Sequence, residues 1–326
     1  MKRNLSMKRT NLLISAIIFT ATFVVYSISS ITPRADSMWS VYLAESFVRT
    51  GNFNLDEYRS LIKPDDYRVV EVNGHLYSFF PIDAPLMASP FVYAIDHFTS
   101  LRLFGGENLS TYLLNHSPDD VVSFVEKFIA SILVALNCVI IFILSRRYLN
   151  IAKSIILTLI FAFATSNWSV SSRALWQHGP SMLCLSLAVY ILIVAQDKPS
   201  LVPLAGFPLA FSFVVRPTNI ISIGLLTIYV WFAFRRFWGY YILCLAVILV
   251  PFFLYNYSVY SALVSPYYAP QRLGNNPFLA QALAGNLMSP SRGLFIFSPI
   301  LACSILGFYR TFRKFKLVLC HTWIDG

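Results

Sequence analysis

The sequence has little charge and lacks the short motifs that mark many soluble enzymes. Charged residues make up 12% of the 326 positions, whereas hydrophobic residues make up 57% and the mean hydropathy is +0.63. The patterns GxGxxG, GxxxxGK[ST] and HExxH do not occur, which removes the usual signatures of dinucleotide, P-loop nucleotide and zinc-protease sites. A chain this apolar cannot hide its side chains in one soluble core, so we predict an all-α polytopic membrane protein.

Cysteines are few and internal repeats are absent. The five cysteines, Cys138, Cys184, Cys244, Cys303 and Cys320, form neither a CxxC pair nor a zinc-binding spacing, and all but Cys320 lie within apolar segments. We therefore expect no disulfide framework and no structural metal. Because no internal repeat or low-complexity linker divides the chain, we predict a single integral membrane domain over residues 1–326.

About eight apolar segments have the length and composition of membrane spans. They lie at 11–31, 121–144, 151–168, 179–195, 201–215, 217–234, 237–257 and 294–309. The first follows a basic N-terminus, as a signal peptide would, but its apolar run is longer than that of a signal peptide and no small-residue cleavage site follows. We expect a retained first helix with the N-terminus in the cytoplasm.

The placement of residues 79–98 decides the topology. The segment is apolar, but three prolines and two acids argue against a regular spanning helix, so we predict a membrane-embedded or interfacial segment on the outer side. With residues 32–120 outside, the inner side holds 14 of the 25 Lys and Arg residues but only two of the 15 acids. A span at 79–98 would move Arg146 and Arg147 outside, against the positive-inside rule. The net charge of +10 therefore reflects topology and does not require nucleic acid as a partner.

The stretch at 33–51, PRADSMWSVYLAESFVRTG, leads from the first span into the long outer loop. It places Asp36 where the chain leaves the bilayer, ahead of a short amphipathic helix that we expect at the interface and that Gly51 should end. The apolar stripe of this helix consists of Trp39, Tyr42, Leu43 and Phe47. Asp36 is either the N-cap of the helix or an acid that meets both a water-soluble and a lipid-borne substrate, and the two roles are compatible.

Three further segments carry basic residues to the outer side, where the positive-inside rule disfavours them. SRALWQHGPS contains Arg173 and His178, VVRPTN contains Arg216, and SPSRGLFIFSP contains Arg292. A single arginine at a helix end is usually explained by snorkelling toward headgroups, and a single histidine at a helix start by a structural hydrogen bond. Three arginines that face an acidic loop favour another explanation, because planar guanidinium groups bind phosphate through paired hydrogen bonds.

We therefore predict that the arginines bind the phosphate of an anionic lipid, with His178 as an added donor or proton relay. Glu45, which lies off the apolar stripe, and His75 belong to the same outer loop. We assign these two residues to the side of the site that faces the acceptor.

The same segments resemble those of the C-type (GT-C) polytopic membrane glycosyltransferases. DSMWSVYLAESFVRTGNFNLD resembles the first outer loop of that superfamily, and HLYSFFPIDAPLMASPFVYA resembles its aromatic and proline-rich segment. ALWQHGPS, the RPT turn and SPSRGLFIFSP are similar to short motifs of a bacterial branch related to protein O-mannosyltransferases and aminoarabinose transferases. The resemblance implies a GT-C-like fold with a long first outer loop that contains interfacial helices.

The resemblance also implies an activity and a location. Such enzymes take a sugar from a polyprenyl-phosphate donor and pass it to a glycan, lipid or protein acceptor on the non-cytoplasmic side, and the resemblance implies inversion at the anomeric carbon. The acid of the first outer loop is the base, which is Asp36 in this sequence. The resemblance implies no cofactor, and it implies a bacterial inner membrane with the active site on its outer face.

The chemistry of the residues agrees with this expectation. Transfer from a lipid phosphate needs a base for the proton of the acceptor and groups that stabilise the departing phosphate. Arginines can replace the metal of nucleotide-sugar enzymes, and no Asp-x-Asp metal motif occurs. One feature argues against Asp36 as the base. A helix N-terminus lowers the pKa of a nearby carboxylate and makes it a weaker base.

Two other classes of function stay open. A transporter or lipid flippase should have charged or broken helices near the membrane midplane and symmetric halves. A non-catalytic assembly subunit should tolerate replacement of Asp36. Members of the superfamily often continue with more spans or an outer soluble domain, whereas this sequence stops at CHTWIDG soon after Tyr309, so we expect a short member or a truncated product.

Overall fold

The computed structural model describes residues 2–29, 36–98, 106–268, 277–291 and 293–312. In these ranges the chain consists mainly of α-helices joined by short turns, with one β-hairpin. The helices are α1 (Lys2–Ser27), α2 (Ser40–Thr50), α3 (Asp83–Phe98), α4 (Leu109–Asn115), α5 (Asp120–Arg146), α6 (Ile151–Phe163), α7 (His178–Ala195), α8 (Gly206–Val215), α9 (Ile220–Ala233), α10 (Trp238–Tyr260), α11 (Leu279–Met288) and α12 (Leu294–Phe297), followed by a last helical segment, Pro299–Phe312.

In the part of the chain that the structure describes, four helical segments are long and apolar enough to cross a membrane: Arg9–Ser27, Asp120–Arg146, His178–Ala195 and Arg235–Tyr260. At about 1.5 Å per residue, 18 residues reach nearly the thickness of the hydrocarbon layer. Four shorter apolar helices fall in the other predicted spans: Ile151–Phe163, Pro199–Val215, Pro217–Ala233 and Pro299–Phe312. The prediction of a helical membrane protein is supported at this coarser level.

Helix α5 lies among the other long helices and contacts several of them. It packs against α1, α6 and α7, while α7 and α10 both pack against α8. Large apolar side chains point outward on α9, where Ile221 is 70% exposed and Phe232 is 80% exposed. An apolar surface of this kind is expected where a helix faces lipid.

Residues 36–98 and 106–120, which the predicted topology places outside the membrane, are called the outer region. Helix α2 is a core helix of this region, and its position at the membrane interface stays a prediction. Residues Val41 to Ser46 are all buried, and the helix packs against α3. The apolar stripe predicted one buried face, but Ala44 and Ser46 are small and fully buried, which lets neighbouring segments cover the other face as well. Gly51 ends the helix in the left-handed conformation, as predicted, with φ 76°.

The segment at 79–98 contains a regular helix, α3, which starts at Asp83. Pro85 lies in its first turn, where no intrahelical N–H bond is needed, and Pro90 lies in its interior. A buried face that includes Asp83, Ala88 and Val92 packs toward α2. The segment therefore packs into the core of the outer region, and its position in or at the membrane stays a prediction.

The outer region also contains a β-hairpin that an all-α fold does not include. Strands β1 (Val69–Val72) and β2 (His75–Ser78) pair antiparallel. The two residues between them, Asn73 and Gly74, both have positive φ, 53° and 83°, as a tight two-residue hairpin turn requires. Asn-Gly between alternating side chains is a strong hairpin signal, so the sequence contained this element although we did not predict it.

Candidate functional site

A cavity of about 260 Å³ lies where the outer region meets the ends of the long helices. Its walls come from the turn before α2, the segment from Ser78 to Pro85, the residues from Leu175 to His178, and two single residues, Arg216 and Tyr267. Of the residues selected from the sequence, the structure brings Asp36, His178 and Arg216 together around this cavity.

Asp36 lies on an exposed turn ahead of α2. Its Oδ1 accepts a hydrogen bond of 2.9 Å from the hydroxyl of Tyr67, and this bond to the carboxylate raises the pKa of Tyr67. Helix α2 starts later, at Ser40, with Trp39 in the cap position and no side-chain cap bond. Asp36 is therefore not the N-cap of α2, and the helix start does not explain this acid.

A buried clamp holds the segment of Tyr67 beside this turn. Trp39 Nε1 donates to Asp66 Oδ2 at 2.9 Å, and Arg68 Nε donates to Asp66 Oδ1 at 2.6 Å. Burial raises the pKa of Asp66, but the bonds from Arg68 and Trp39 outweigh it and the pKa is lowered overall. The clamp fixes the position of Tyr67 relative to Asp36.

Arg216 and His178 form a hydrogen-bonded pair in the cavity wall. Arg216 Nη1 donates to His178 Nδ1 over 2.8 Å, so Nδ1 is the acceptor and the ring proton of the neutral imidazole is on Nε2. His178 is the first residue of α7, and Arg216 follows the last residue of α8 in extended conformation before Pro217. Asn219 holds the turn, because its amide donates to Ser181 Oγ at 2.8 Å. The pair presents a cation and an imidazole to the cavity from fixed backbone positions.

Aromatic side chains form another part of the wall. The ring centroids of Phe80 and Tyr267 lie 5.1 Å apart, and those of Trp176 and His178 lie 6.3 Å apart with the two rings nearly perpendicular. The segment of Tyr267 is bonded to the outer region, since Ser265 Oγ donates to the carbonyl of Phe79 at 3.2 Å. A cavity with aromatic faces and a few polar groups suits a ligand that has both apolar and hydroxyl-bearing faces.

Glu126 supports the segment that carries Trp176 and His178. This buried side chain of α5 accepts a hydrogen bond of 2.9 Å from the backbone N–H of Leu175. Glu126 was not among the residues predicted from the sequence. The sequence feature that could have identified Glu126 is an acid within an otherwise apolar span. An ionisable side chain in such a span costs free energy unless it has a partner.

Asp83, the first residue of α3, was also missed. It is fully buried, and neither carboxylate oxygen has a hydrogen-bond partner among the described residues. Burial raises the pKa of Asp83 well above its usual range. We had used this acid only as an argument against a membrane span.

Arg173 does not line the cavity. Its Nε donates to the carbonyl of Trp168 at 2.7 Å, its guanidinium lies 6.0 Å from the centroid of the Trp168 ring, and burial lowers its pKa. Arg292 lies outside the described residues. Its neighbours Ser291 and Gly293 line a second cavity, of about 630 Å³, together with Trp168.

Glu45 and His75 are both bonded within the outer region and do not line the cavity. Glu45 is 2% exposed, accepts from the hydroxyl of Tyr58 and pairs with Arg49 at 3.2 Å. Burial raises its pKa, while Tyr58 and Arg49 lower it in part. His75 Nδ1 lies 2.5 Å from Asp56 Oδ2. These contacts give both residues a structural role in the outer region.

Comparisons of the chain with protein-family models, curated proteins and solved structures found no match. Among the described residues, no group of three or more His, Cys, Asp and Glu side chains has the arrangement of a metal site.

Proposed function

We propose that this protein is a membrane glycosyltransferase, which moves a sugar from a polyprenyl-phosphate donor to an acceptor on the non-cytoplasmic side. The observation that carries the proposal is the meeting of Asp36 with the Arg216–His178 pair around one cavity. An acid and a cationic pair are the groups that transfer from a lipid phosphate requires.

The proposed topology has eight spans, the four long helical segments and the four shorter ones. Because successive spans cross the membrane in opposite directions, the C-terminal ends of α1, α8 and α10 lie on the same side of the membrane as the N-terminal ends of α5 and α7. Asp36, His178 and Arg216 follow or begin three of these helices. Asn11, Arg146 and Asp197 line a cavity at the opposite helix ends. The Lys and Arg residues at the helix ends on that side favour a cytoplasmic location. In the proposed topology the cavity that Asp36 lines therefore faces outward.

In the proposed reaction, Asp36 takes the proton of the acceptor hydroxyl as its oxygen attacks the anomeric carbon of the donor. The bond from that carbon to the phosphate oxygen breaks, and the polyprenyl phosphate leaves with the bonding electrons. Attack opposite to the leaving group inverts the anomeric centre. Arg216 stabilises the phosphate by charge, and Asp36 is exposed, so it can return its proton to water.

The dimensions and walls of the cavity support one sugar unit as the transferred group. About 260 Å³ is at the small end of ligand pockets, which favours a monosaccharide with its phosphate over an oligosaccharide. Trp176, Phe80 and Tyr267 offer aromatic faces to the ring. Arg173 takes no part in this step, because its guanidinium is directed to Trp168.

The test is transfer of labelled sugar by the purified protein in detergent. A panel of short polyprenyl-phosphate donors with different sugars is offered with glycan, lipid and peptide acceptors. We expect transfer from at least one donor and release of polyprenyl phosphate in equal amount. Movement of labelled lipid across vesicles without transfer would identify a flippase, and loss of both activities with retained binding to partner proteins would identify an assembly subunit.

A further inference from the structure

A further cavity, of about 600 Å³, lies at the opposite ends of the long helices from the cavity that Asp36 lines. Its walls come from the first half of α1, from the last residues of α5 and from the last residues of α7 and the turn that follows. The proposed sugar transfer uses none of the residues in these walls. The cavity is therefore a candidate site for a separate ligand.

Two arginines form a charged rim on this cavity, and hydrogen bonds hold both of them in place. Arg146 Nε donates to Asn11 Oδ1 at 3.2 Å, and its Nη1 donates to the carbonyl of Leu149. Arg147 Nη2 donates to the carboxylate of Asp197. Among the described residues, these bonds leave Nη2 of Arg146 and Nη1 of Arg147 without a partner, so both arginines can still donate to a ligand.

The rim carries more positive than negative charge. Its two arginines face one acid, Asp197, whose side chain is 66% exposed and therefore well solvated. Lys198 follows directly in the chain and is also exposed. Guanidinium groups bind the oxygens of a phosphate through paired, charge-assisted hydrogen bonds. The rim therefore suits a phosphate-bearing anion.

Below the rim the cavity has apolar walls. Phe142 precedes Arg146 by one helical turn, about 6 Å along the helix axis, and it lines the cavity together with Ile143 of α5 and Ile193 of α7. A free phosphate would occupy the rim and leave this deeper part without a ligand. A lipid has a charged headgroup for the rim and a hydrocarbon chain for the apolar walls, so a lipid matches both parts of the cavity.

We propose that this cavity binds one anionic glycerophospholipid of the inner leaflet, with its phosphodiester beside Arg146 and Arg147 and an acyl chain against Phe142 and Ile193. Basic pockets between membrane helices on the cytoplasmic side bind the headgroups of such lipids. The choice of leaflet rests on the proposed topology, whereas the site itself does not depend on sugar transfer. Because the walls belong to α1, α5 and α7, a bound lipid also stabilises the packing of these three helices.

The experiment measures lipid binding by native mass spectrometry of the full-length protein, delipidated in a non-ionic detergent. Phosphatidylglycerol and phosphatidylcholine with identical acyl chains are titrated separately, so that only the headgroup differs. We expect one phosphatidylglycerol to bind about tenfold or more tightly than phosphatidylcholine, because each arginine near an anionic headgroup adds to the affinity. Inorganic phosphate in large excess should not displace the bound lipid.

The double variant Arg146→Gln with Arg147→Gln should lose the preference for phosphatidylglycerol. Arg235→Gln with Arg236→Gln is the matched control, because it removes two exposed arginines that are predicted on the same side but do not line the cavity. This control should keep the preference. Asp197→Asn removes the acid that shares Arg147 with the lipid, so it should tighten the binding of phosphatidylglycerol.

A fourth variant tests the apolar part of the cavity without changing any charge. Ile193→Trp places a larger side chain in the space assigned to the acyl chain, and it should weaken the binding of phosphatidylglycerol although the rim is intact. Unchanged binding by folded Ile193→Trp protein would overturn the placement of the chain. This variant also keeps the proposal testable if the arginine variants do not fold.

The remaining outcomes separate this site from general attraction to a basic surface. Equal binding of the two lipids by the wild type, or an equal loss of preference in the two double variants, overturns the proposal. Displacement of the lipid by inorganic phosphate would identify a site for a soluble anion and overturn it as well. Weaker binding by Asp197→Asn would overturn the placement of the phosphodiester beside Arg147. Sugar transfer is measured separately with the donor panel, so failure of the lipid site and failure of the proposed function are distinguishable.

Discussion

Arg216 Nη1 donates a hydrogen bond of 2.8 Å to His178 Nδ1, which joins the end of α8 to the beginning of α7 in the wall of the cavity. The bond uses one N–H of a guanidinium group that has five. The second terminal nitrogen, Nη2, remains for a ligand in the cavity. The bond also fixes the tautomer of His178, whose Nε2 carries the proton.

Arg216→Lys should weaken use of the donor. A lysine retains the positive charge but cannot bond His178 and a phosphate with one planar group. We expect kcat/KM for the donor to fall by about tenfold or more, which corresponds to about 1.4 kcal/mol. Arg173→Lys is the comparison, since Arg173 faces Trp168. An equal loss of kcat/KM in folded Arg173→Lys protein would show that Arg173 acts on the donor too.

Asp36→Asn should stop catalysis while the fold is kept. An amide cannot accept the proton of the acceptor, so turnover should fall by a factor on the order of 10² to 10⁴. The thermal midpoint should change little, because Asp36 is exposed. Asp65→Asn removes an exposed acid close by in the outer region and should leave turnover unchanged. Near-normal transfer by well-folded Asp36→Asn protein would refute the role of Asp36 as the general base.

The clamp around Asp66 predicts a dependence of stability on pH. The pKa of Asp66 is lowered in the folded protein, so the unfolded state binds this proton more readily. The stabilisation is complete above the ordinary Asp pKa, about 3.9, and is lost as the pH falls below it. Asp66→Asn should cost about 1–3 kcal/mol at neutral pH and make unfolding less sensitive to acid. Thermal unfolding from pH 7 into this acidic range measures both effects, and an unchanged acid dependence would contradict them.

Gly206→Ala should displace α8, the helix that ends at Arg216. A Cβ at this position would lie 2.8 Å from the carbonyl oxygen of Tyr241 and 2.9 Å from Cys244 Cβ, both on α10. We expect a loss of about 1–3 kcal/mol in stability and weaker donor binding. Gly224→Ala on α9 is the matched control, since nothing lies within 4 Å of its added Cβ and alanine favours a helix. Equal stability of the two variants would show that α8 tolerates a shift.

The proposed topology is tested by single cysteines in a cysteine-free background. Ser60, Ser117 and Lys198 are all exposed, so a reagent can reach each position from the side on which it lies. We expect an impermeant maleimide to label Ser60→Cys and Ser117→Cys in intact cells. Lys198→Cys should react only after the membrane is opened. Labelling of position 198 from outside would exclude the topology with eight spans.

Hydropathy was sufficient to predict the helices but not the outer region. Long apolar segments form helices because each backbone polar group must be satisfied inside the segment. The Asn73-Gly74 hairpin and α3 depend on local turn geometry and on tertiary packing, which the apolar periodicity does not contain. Pro85 was compatible with a helix only because it falls in the first turn.

The site could be predicted in part for a similar reason. The predicted topology places Asp36, His178 and Arg216 on the same side of the membrane. The direction of each side chain, however, depends on its neighbours in the fold. Arg173 is directed to the carbonyl of Trp168, a contact between residues five positions apart that a charge count cannot show. Asp83 was missed because its complete burial depends on the packing of α3 against α2 and α8, which the local sequence does not show.

The bond of Ser265 to Phe79 has a consequence for biosynthesis. The ribosome releases Asp36 and the outer region early, long before the segment that contains Ser265 and Tyr267 leaves the exit tunnel. Proteins are made from the N-terminus at about 5–20 residues per second. With the proposed topology, a nascent chain therefore presents Asp36 outside the membrane well before the cavity has all of its walls. A chain arrested before α10 should insert its first helices and yet bind no donor.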